Sequence, residues 1–244
     1  LMTFNEISKS DKEEEPSIDP DFEGVQMVPH TVKGINYGDV NSMSYWTSNK
    51  EGHPVYVKPY SAPEAATYEM AKYLGIGDHV AKVQQVNDNG THKMLIKGVP
   101  NMIHPNMLSV NKSESMHKMQ DQETIQKMAI MDAISHNNDR RFGGYGFDPQ
   151  GKMVLTDHMN NFDSSSYGEP PLMPSYLAHA DSALTKNNAS WLQSLNTKQM
   201  VDILKKHGIV KDLAHEKDFI EHVEDIKSNA RPNFDLKLLF KERL

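Results

Sequence analysis

The sequence contains no cysteine, and no run of apolar residues approaches the length that crosses a bilayer. The first absence excludes disulfide bonds, thiolate metal sites and a cysteine nucleophile. The second argues against a membrane-spanning helix, which needs about 20 apolar residues. We therefore expect a cytoplasmic or other intracellular protein; a secreted effector or a virus particle component would have a similar composition.

Basic residues are also in short supply, with 26 Lys and Arg against 33 Asp and Glu and a formal net charge of −7. Such a surface does not attract nucleic acid or an anionic membrane, so neither is an expected partner. What the chain does have is length. Its 244 residues can bury a substantial core, as one domain or as two closely joined lobes.

Sequence patterns divide the chain into three parts. Residues 1–24 are acidic and poor in apolar side chains, which predicts a disordered tail. Residues 25–103 favour short strands around a single helix, and we expect them to form a β-rich N-terminal lobe. Residues 104–244 show helical periodicity, interrupted by a polar stretch at 137–162, and form an expected helical C-terminal lobe with a hairpin. The predicted fold class is α+β, with two lobes.

The predicted strands of the N-terminal lobe span residues 32–38, 43–47, 54–58, 80–86 and 93–99. Gly34 and Gly38 lie in the first of these, and with the small hydroxyl residues at 42–44 they could form a loop whose backbone amides bind phosphate oxygens. A plain hairpin turn is the alternative interpretation.

A lysine in the same lobe could also bind phosphate. Lys58 ends a predicted strand, and a lysine there can hold phosphate oxygens if a helix carboxylate keeps it in place. On the next predicted helix, Glu69 lies at the edge of the apolar face, whereas Glu64 points nearly opposite and completes a capping box with Ser61. Lys58 with Glu69 is therefore the predicted pair. An exposed, unpartnered strand lysine is the alternative.

Two aspartates in the polar stretch are candidates for chemistry. Asp139 follows an amphipathic helix, and Asp157 ends a strand that comes after a turn at 149–150. If this is a hairpin with strands about 4.8 Å apart, the two carboxylates converge within roughly 10 Å. One would suit a role on a hydroxyl proton and the other a role on magnesium. The alternative is that Asp139 pairs with Arg140 or Arg141 and that Asp157 caps a turn.

The order strand lysine, helix glutamate, Asn-Asp-Arg-Arg loop, hairpin and strand aspartate resembles the atypical kinases, which include phosphoinositide kinases, HipA-type bacterial kinases and secreted Fam20-type kinases. The resemblance covers about residues 32–162. It implies a bilobal kinase-like fold that binds ATP with Mg²⁺ or Mn²⁺. In this resemblance Asp139 matches the catalytic aspartate, Asp157 the metal-binding aspartate, and Lys58 with Glu69 the lysine–glutamate pair at ATP.

The sequence departs from that family at one metal ligand. The asparagine expected five residues after the catalytic aspartate falls on Gly144. Asn137, Asn138 or Asn160 could replace it, because amide oxygens suit magnesium. Asn138 and Asn160 are taken, with Asp157, as the predicted metal ligands.

Three functions follow from these patterns. The first is an ATP- and metal-dependent phosphotransferase, whose acceptor is a protein in preference to a lipid because no basic membrane-facing cluster is present. The second is a pseudokinase or a structural module, for example of a virus particle, that keeps the fold without activity. The third is a metallohydrolase in which His136, Asp139, Asp157 and His158 bind a metal.

Overall fold

The computed structural model describes residues 17–243. Its N-terminal lobe is built on a four-stranded antiparallel sheet in the order β1-β2-β4-β3. The strands are β1 (Tyr45–Ser48), β2 (Pro54–Pro59), β3 (Val83–Asp88) and β4 (Thr91–Lys97). Successive side chains of a strand point to opposite faces, so the valines of β2 are buried on one face while Tyr56 and Lys58 lie on the other.

Helix α1 (Ala62–Tyr73) follows β2 directly. Pro63 in the first turn suits this start, because its missing N–H would have no partner there. The side chain of Ser61 makes no capping hydrogen bond, so the predicted capping box is wrong. The carboxylate that it needed, on Glu64, is bound elsewhere. Ala66 and Met70 are fully buried and fix the helix against the rest of the protein.

The predicted tail is partly ordered. Its residues 1–16 lie outside the described residues, but Phe22 is 2% exposed and packs on the back of the sheet. Asp19 and Asp21 form ion pairs with Lys82. The boundary predicted at residue 24 is therefore wrong, because one buried aromatic ring and a lysine partner stabilise a segment whose composition is otherwise that of a tail.

The strand predicted at 32–38 is also wrong. The segment has no regular structure, and β1 begins only at Tyr45. Gly34 and Gly38 have φ angles of 83° and 86°, which belong to the left-handed region and interrupt a strand.

The C-terminal lobe contains a two-stranded hairpin and helices. Its elements are α2 (Val110–Lys118), α3 (Gln122–Ile134), β5 (Tyr145–Phe147), β6 (Met153–Leu155), α4 (Lys186–Ser194), α5 (Thr197–Lys206) and α6 (Leu213–Lys227), with short 3₁₀ helices between them. The periodic segment 111–135 forms two helices, because Asp121 accepts a hydrogen bond from Thr124 N and caps a new start.

One apolar core joins the two lobes. Helix α3 lies at its centre, with Met128, Ala129 and Ile130 fully buried, and the same cluster includes Met70 of α1 and Leu155 of β6. Burial on this scale resists separation of the lobes. Within residues 17–243, no helix combines the length and the apolar character needed to cross a membrane.

Candidate functional site

A cleft of about 390 Å³ lies between the sheet and the end of the β5–β6 hairpin. Tyr56 and Lys58 of β2 line its sheet wall, because the pleat turns both away from the back of the sheet. Thr156 and Asp157, which directly follow β6, line the opposite wall. The structure thus brings the predicted phosphate-binding lysine and the predicted metal-binding aspartate to one cavity.

Lys58 is held by Glu64, which also lines the cleft. Its ammonium nitrogen lies 2.8 Å from Glu64 Oε2, and both side chains are largely buried, at 14% and 11% exposure. The sulfur of Met159 lies 3.4 Å from the same nitrogen. The pair lacks hydrogen-bond geometry, because Glu64 Oε2 has no hydrogen-bond partner among the described residues, and the attraction between the two charges is what keeps the ammonium beside Glu64.

The prediction that Glu69 pairs with Lys58 is therefore wrong. Glu69 lies 2.7 Å from Lys206 Nζ and 2.5 Å from His207 Nε2, at the end of α5. Burial would raise the pKa of Glu69, but the hydrogen bonds from Lys206 and His207 outweigh it and lower that pKa below its ordinary value. The physical reason is the entry of α1. The helix starts so close to the end of β2 that its first turn, not its middle, lies beside Lys58.

Asp157 reaches the cleft through an unusual backbone conformation. Its φ is 56°, in the left-handed region, which aspartate adopts more readily than most residues. The preceding carbonyl, of Thr156, accepts a hydrogen bond from Arg140, and Thr156 N donates to Gly144 O at 2.9 Å. The chain at Asp157 is thus fixed from the loop that carries Asp139.

Arg140 is the centre of this arrangement. It is completely buried and pairs with Asp132 of α3 at 3.0 Å, with both side chains at 0% exposure. Asp132 also accepts a hydrogen bond of 2.7 Å from Tyr176, and Arg140 lies 2.9 Å from His158 Nδ1. Burial, followed by the charge of Arg140, holds the pKa of His158 well below its usual range, so the ring is neutral and can accept this bond. One sign of this network is visible in the sequence: an aspartate, Asp132, lies among the apolar residues of α3, and a buried carboxylate needs a partner.

Asp139 does not meet Asp157 in the cleft. Its side chain is half exposed, lies 3.3 Å from Arg141 Nε, and is absent from the cleft lining. Asn137 Oδ1 accepts the N–H of Asp139 and tightens the turn, so the carboxylate points outward. The loop reaches the cleft only at Gly143. The alternative interpretation, in which Asp139 pairs with a neighbouring arginine, is the arrangement found.

The two asparagines predicted as metal ligands also lie outside the cleft lining. Asn138 Oδ1 accepts the N–H of Leu172 at 2.9 Å, so its amide connects the loop to a later segment. Asn160 is exposed in the turn that follows His158. Neither position supports the predicted role, because neither side chain lines the cavity that Asp157 lines.

The two glycines have different places. Gly38 lines the cleft, as expected for a loop above it. Gly34 lies against Pro100 and Asn101, where an added Cβ would come within 3.0 Å of Asn101 Oδ1. It positions the chain beside the segment that links the lobes, and the prediction that it touches phosphate has no support from this geometry.

The metallohydrolase alternative has no geometric basis. Among residues 17–243, no group of three or more His, Asp or Glu side chains is placed to hold a metal ion. His158 is buried on Arg140, and His136 Nε2 lies 2.6 Å from Glu169 O, so the two histidines of that set are used in the packing of the loop.

Comparisons by sequence and by structure give different results. No protein family model and no curated protein matches the sequence. The structure is similar to the crystal structure of CtkA, a proinflammatory kinase of Helicobacter pylori, with a TM-score of 0.53 and 12% identity over 92% of this chain and 97% of that chain.

Two further similarities are weaker. One is to a chain of the HipA, HipB and operator DNA complex of Shewanella oneidensis MR-1, with a TM-score of 0.34 and 12% identity over 75% of this chain and 61% of that chain. The other is to the pseudokinase domain of BIR2, an immune regulator of the RLK/Pelle family. Its TM-score is 0.32, with 16% identity over 80% of this chain and 74% of that chain. At the identity and TM-score found with CtkA the likeness concerns the fold, and the predicted fold is confirmed: the chain has an atypical kinase-like α+β fold.

Proposed function

We propose that the chain binds ATP with a divalent cation in the cleft between its lobes and transfers the terminal phosphoryl group to a hydroxyl group, with a protein as the favoured acceptor. One observation carries this proposal. The Lys58–Glu64 ion pair on one wall and Asp157 on the other line the same cavity, in a kinase-like fold.

Each of these residues suits one part of phosphoryl transfer. Such reactions depend mainly on positioning and on neutralisation of phosphate charge. Lys58 supplies a fixed cation, and Glu64 keeps it directed into the cleft. Asp157 supplies a carboxylate oxygen, the type of ligand that Mg²⁺ prefers. The cation, when bound, would neutralise the phosphate oxygens.

Asp139 is the proposed base. In the reaction, the acceptor oxygen forms a bond to the γ-phosphorus, the bond from that phosphorus to the β–γ bridging oxygen breaks, and ADP leaves. The acceptor proton passes to the Asp139 carboxylate, which is half exposed and has to turn from its outward position toward the cleft for this step. The ion pair between Arg141 and Asp139 must break before this step.

A second function is favoured by a specific observation. Asp139 is paired with Arg141 outside the cleft, and Gly144 occupies the place of the expected asparagine. A protein with this arrangement could bind nucleotide through Lys58 and Asp157 and not turn it over. This pseudokinase alternative shares the binding site and differs only in the catalytic step.

A thermal shift experiment tests the shared binding site. Ligand at about 100 times its Kd stabilises a protein by about 2.7 kcal/mol, which for a chain of this size raises Tm by about 5–10 °C. We expect that rise with Mg²⁺ and ATP, and its loss in Asp157→Ala and in Lys58→Met. An Asp157→Ala protein that responds as fully as the wild type would refute the site. Transfer of radiolabelled phosphate from ATP to an acceptor is then measured. A kinase transfers the label, and a pseudokinase does not.

A further inference from the structure

A tyrosine hydroxyl lies at one end of the cleft, on the backbone of the segment that joins the lobes. Val99 follows β4 and lines the cavity. Its N–H donates to Tyr37 Oη at 2.8 Å, and its carbonyl oxygen accepts from the same hydroxyl at 3.3 Å. One side chain from a distant segment therefore satisfies both backbone groups that Val99 presents there.

These two groups are well suited to a ligand. Val99 lies beyond the last strand residue, Lys97, so its N–H and C=O are not paired in the sheet. Backbone groups of this kind need a partner when they are covered. An adjacent donor and acceptor at the edge of a partly apolar cavity match the edge of a flat heteroaromatic base, which also carries a donor beside an acceptor. Ile96 and Val83 supply apolar surface in the same cavity.

The hydroxyl of Tyr37 can hydrogen-bond to the N–H and to the C=O of Val99 at the same time. Burial raises the pKa of Tyr37 above its ordinary value, although its hydrogen bond with Val99 opposes the effect. The hydroxyl is therefore neutral at physiological pH, and a neutral hydroxyl can donate and accept at once. The ring is held by Trp46, which lies 5.3 Å away edge to face and donates its indole N–H to Tyr37 O at 2.9 Å.

Two glycines allow the chain to approach this closely. We call residues 29–44 the strap. Within it, Gly34 and Gly38 flank Tyr37, both with positive φ. A Cβ on Gly38 would come within 3.0 Å of Trp46 Nε1, and Asn101 N donates to Gly34 O at 2.7 Å. The two glycines thus let the strap lie close against the edge of the cleft.

The strap is nevertheless weakly attached to the protein. It has no regular secondary structure, and its apolar residues Val40 and Met43 are 65% and 63% exposed. A hollow of about 470 Å³ lies beside it. Strap residues, Tyr37 among them, form most of its lining, and Trp46 of β1 completes it. A segment with few buried contacts opens at low cost.

We propose that Tyr37 determines whether the cleft accepts a nucleobase, because the strap occupies the Val99 backbone groups and must move before a base can bind them. The proposal rests on the function proposed above. With the strap in place, the hydroxyl of Tyr37 takes the two hydrogen bonds that the Val99 backbone would offer a base, so the affinity of the wild type comes mostly from phosphate. The apparent affinity for a complete nucleotide is reduced by the fraction of molecules in which the strap is open.

The experiment compares two ligands on four proteins. Dissociation constants of Mg·ATP and of Mg·tripolyphosphate, which has no base, are measured by calorimetry for wild type, Tyr37→Phe, Tyr37→Ala and Tyr68→Phe. Tyr68 lies on α1, where its ring packs against Lys72, and its substitution is the matched control for loss of a hydroxyl. Removing two competing hydrogen bonds should tighten ATP binding about tenfold in both Tyr37 variants. Tripolyphosphate affinity should change less than twofold, and Tyr68→Phe should match the wild type. Unchanged or weaker ATP binding in the Tyr37 variants overturns the proposal.

A second readout needs no ligand. The amide of Val99 is bonded to Tyr37, so its hydrogen exchange, followed by NMR, should be at least tenfold faster in Tyr37→Phe than in the wild type. Equal exchange rates overturn the strap contact, while the Lys58 and Asp157 tests of nucleotide binding can still succeed. If Val99 exchange accelerates and no variant binds either ligand, the proposed function fails, and competition with a base fails with it.

Discussion

Lys58 Nζ lies 2.8 Å from Glu64 Oε2 at the wall of the cleft, whereas Glu69, on the same helix, is bound to Lys206 and His207 of the other lobe. The two glutamates therefore have separate tasks. Glu64 holds the ammonium of Lys58 at the cavity, and Glu69 connects α1 to the end of α5. This division is open to a direct comparison, because the same isosteric substitution can be made at both positions.

Glu64→Gln should weaken binding of Mg·ATP, and Glu69→Gln should not. Glutamine keeps the shape of either side chain and removes the charge, so Lys58 loses the contact that fixes its ammonium. We expect Kd to rise about tenfold in Glu64→Gln, equivalent to about 1.4 kcal/mol, and to stay within twofold in Glu69→Gln. Calorimetric titration measures both values. Equal weakening in the two variants would mean that Glu64 acts through stability of α1 and not through Lys58.

Sequence patterns were sufficient for the elements that depend on neighbouring residues. The alternation over 54–58 predicted the strand near whose end Lys58 lies, and the turn at 149–150 predicted the hairpin that Asp157 follows. The kinase-like fold followed from the order of such local features, and the likeness to CtkA confirms it. Local secondary structure is the feature of a fold that is most directly predicted from a sequence, because it follows from the spacing of apolar residues.

The partners of these residues were harder to predict, since they depend on how elements meet. The face of α1 could be read from its period, but the choice between Glu64 and Glu69 depends on the angle at which α1 leaves β2. Tyr37 contacts Val99 across 62 positions in the chain, and no local pattern encodes that contact. Asp139 is drawn to Arg141 by an adjacent charge, while Arg140 turns inward to Asp132. Two consecutive arginines of opposite burial cannot be distinguished by composition.

Those two arginines make a matched pair of variants for stability. Arg140→Met leaves Asp132 buried without its counter-charge, which costs about 3–5 kcal/mol in comparable buried pairs. Arg141→Met removes an exposed pair with Asp139, and the loss should be below about 1 kcal/mol. Urea denaturation followed by circular dichroism gives both free energies of unfolding. Similar losses in the two variants would show that the buried network does not hold the loop.

Stability should fall as the pH drops below about 6.5. Burial, and then the charge of Arg140, lower the pKa of His158, and burial also lowers the pKa values of His117 and His222. The unfolded chain binds protons at its ordinary histidine pKa of about 6.5, so below this value it holds more protons than the folded state and is favoured by acid. Above that pH the contribution is fully present.

The substitution His158→Asn isolates one part of this dependence. Asparagine can accept the bond from Arg140 and does not titrate, so the loss of stability between pH 6.5 and pH 5 should be smaller than in the wild type. The two other buried histidines should keep it from disappearing. His53→Asn, at a histidine whose side chain is 59% exposed, serves as the control for the loss of an imidazole at the surface. Unfolding free energies measured across this pH range supply the comparison; a slope unaltered by His158→Asn would contradict the assignment.

Asp139 and Asp157 should differ in which step they affect. Asp157 lines the cleft and Asp139 does not, so Asp139→Asn should leave the Kd of Mg·ATP within twofold, in contrast to the loss expected for Asp157→Ala. If Asp139 accepts the proton of the attacking hydroxyl, the same variant should lower turnover by about 10²–10⁴-fold, the usual contribution of a positioned base. Phosphate transfer at saturating ATP measures this effect separately from binding. A variant that transfers phosphate at the wild-type rate would remove Asp139 from the reaction, and a wild type that binds ATP without transfer would leave this cleft as a nucleotide-binding site in a pseudokinase.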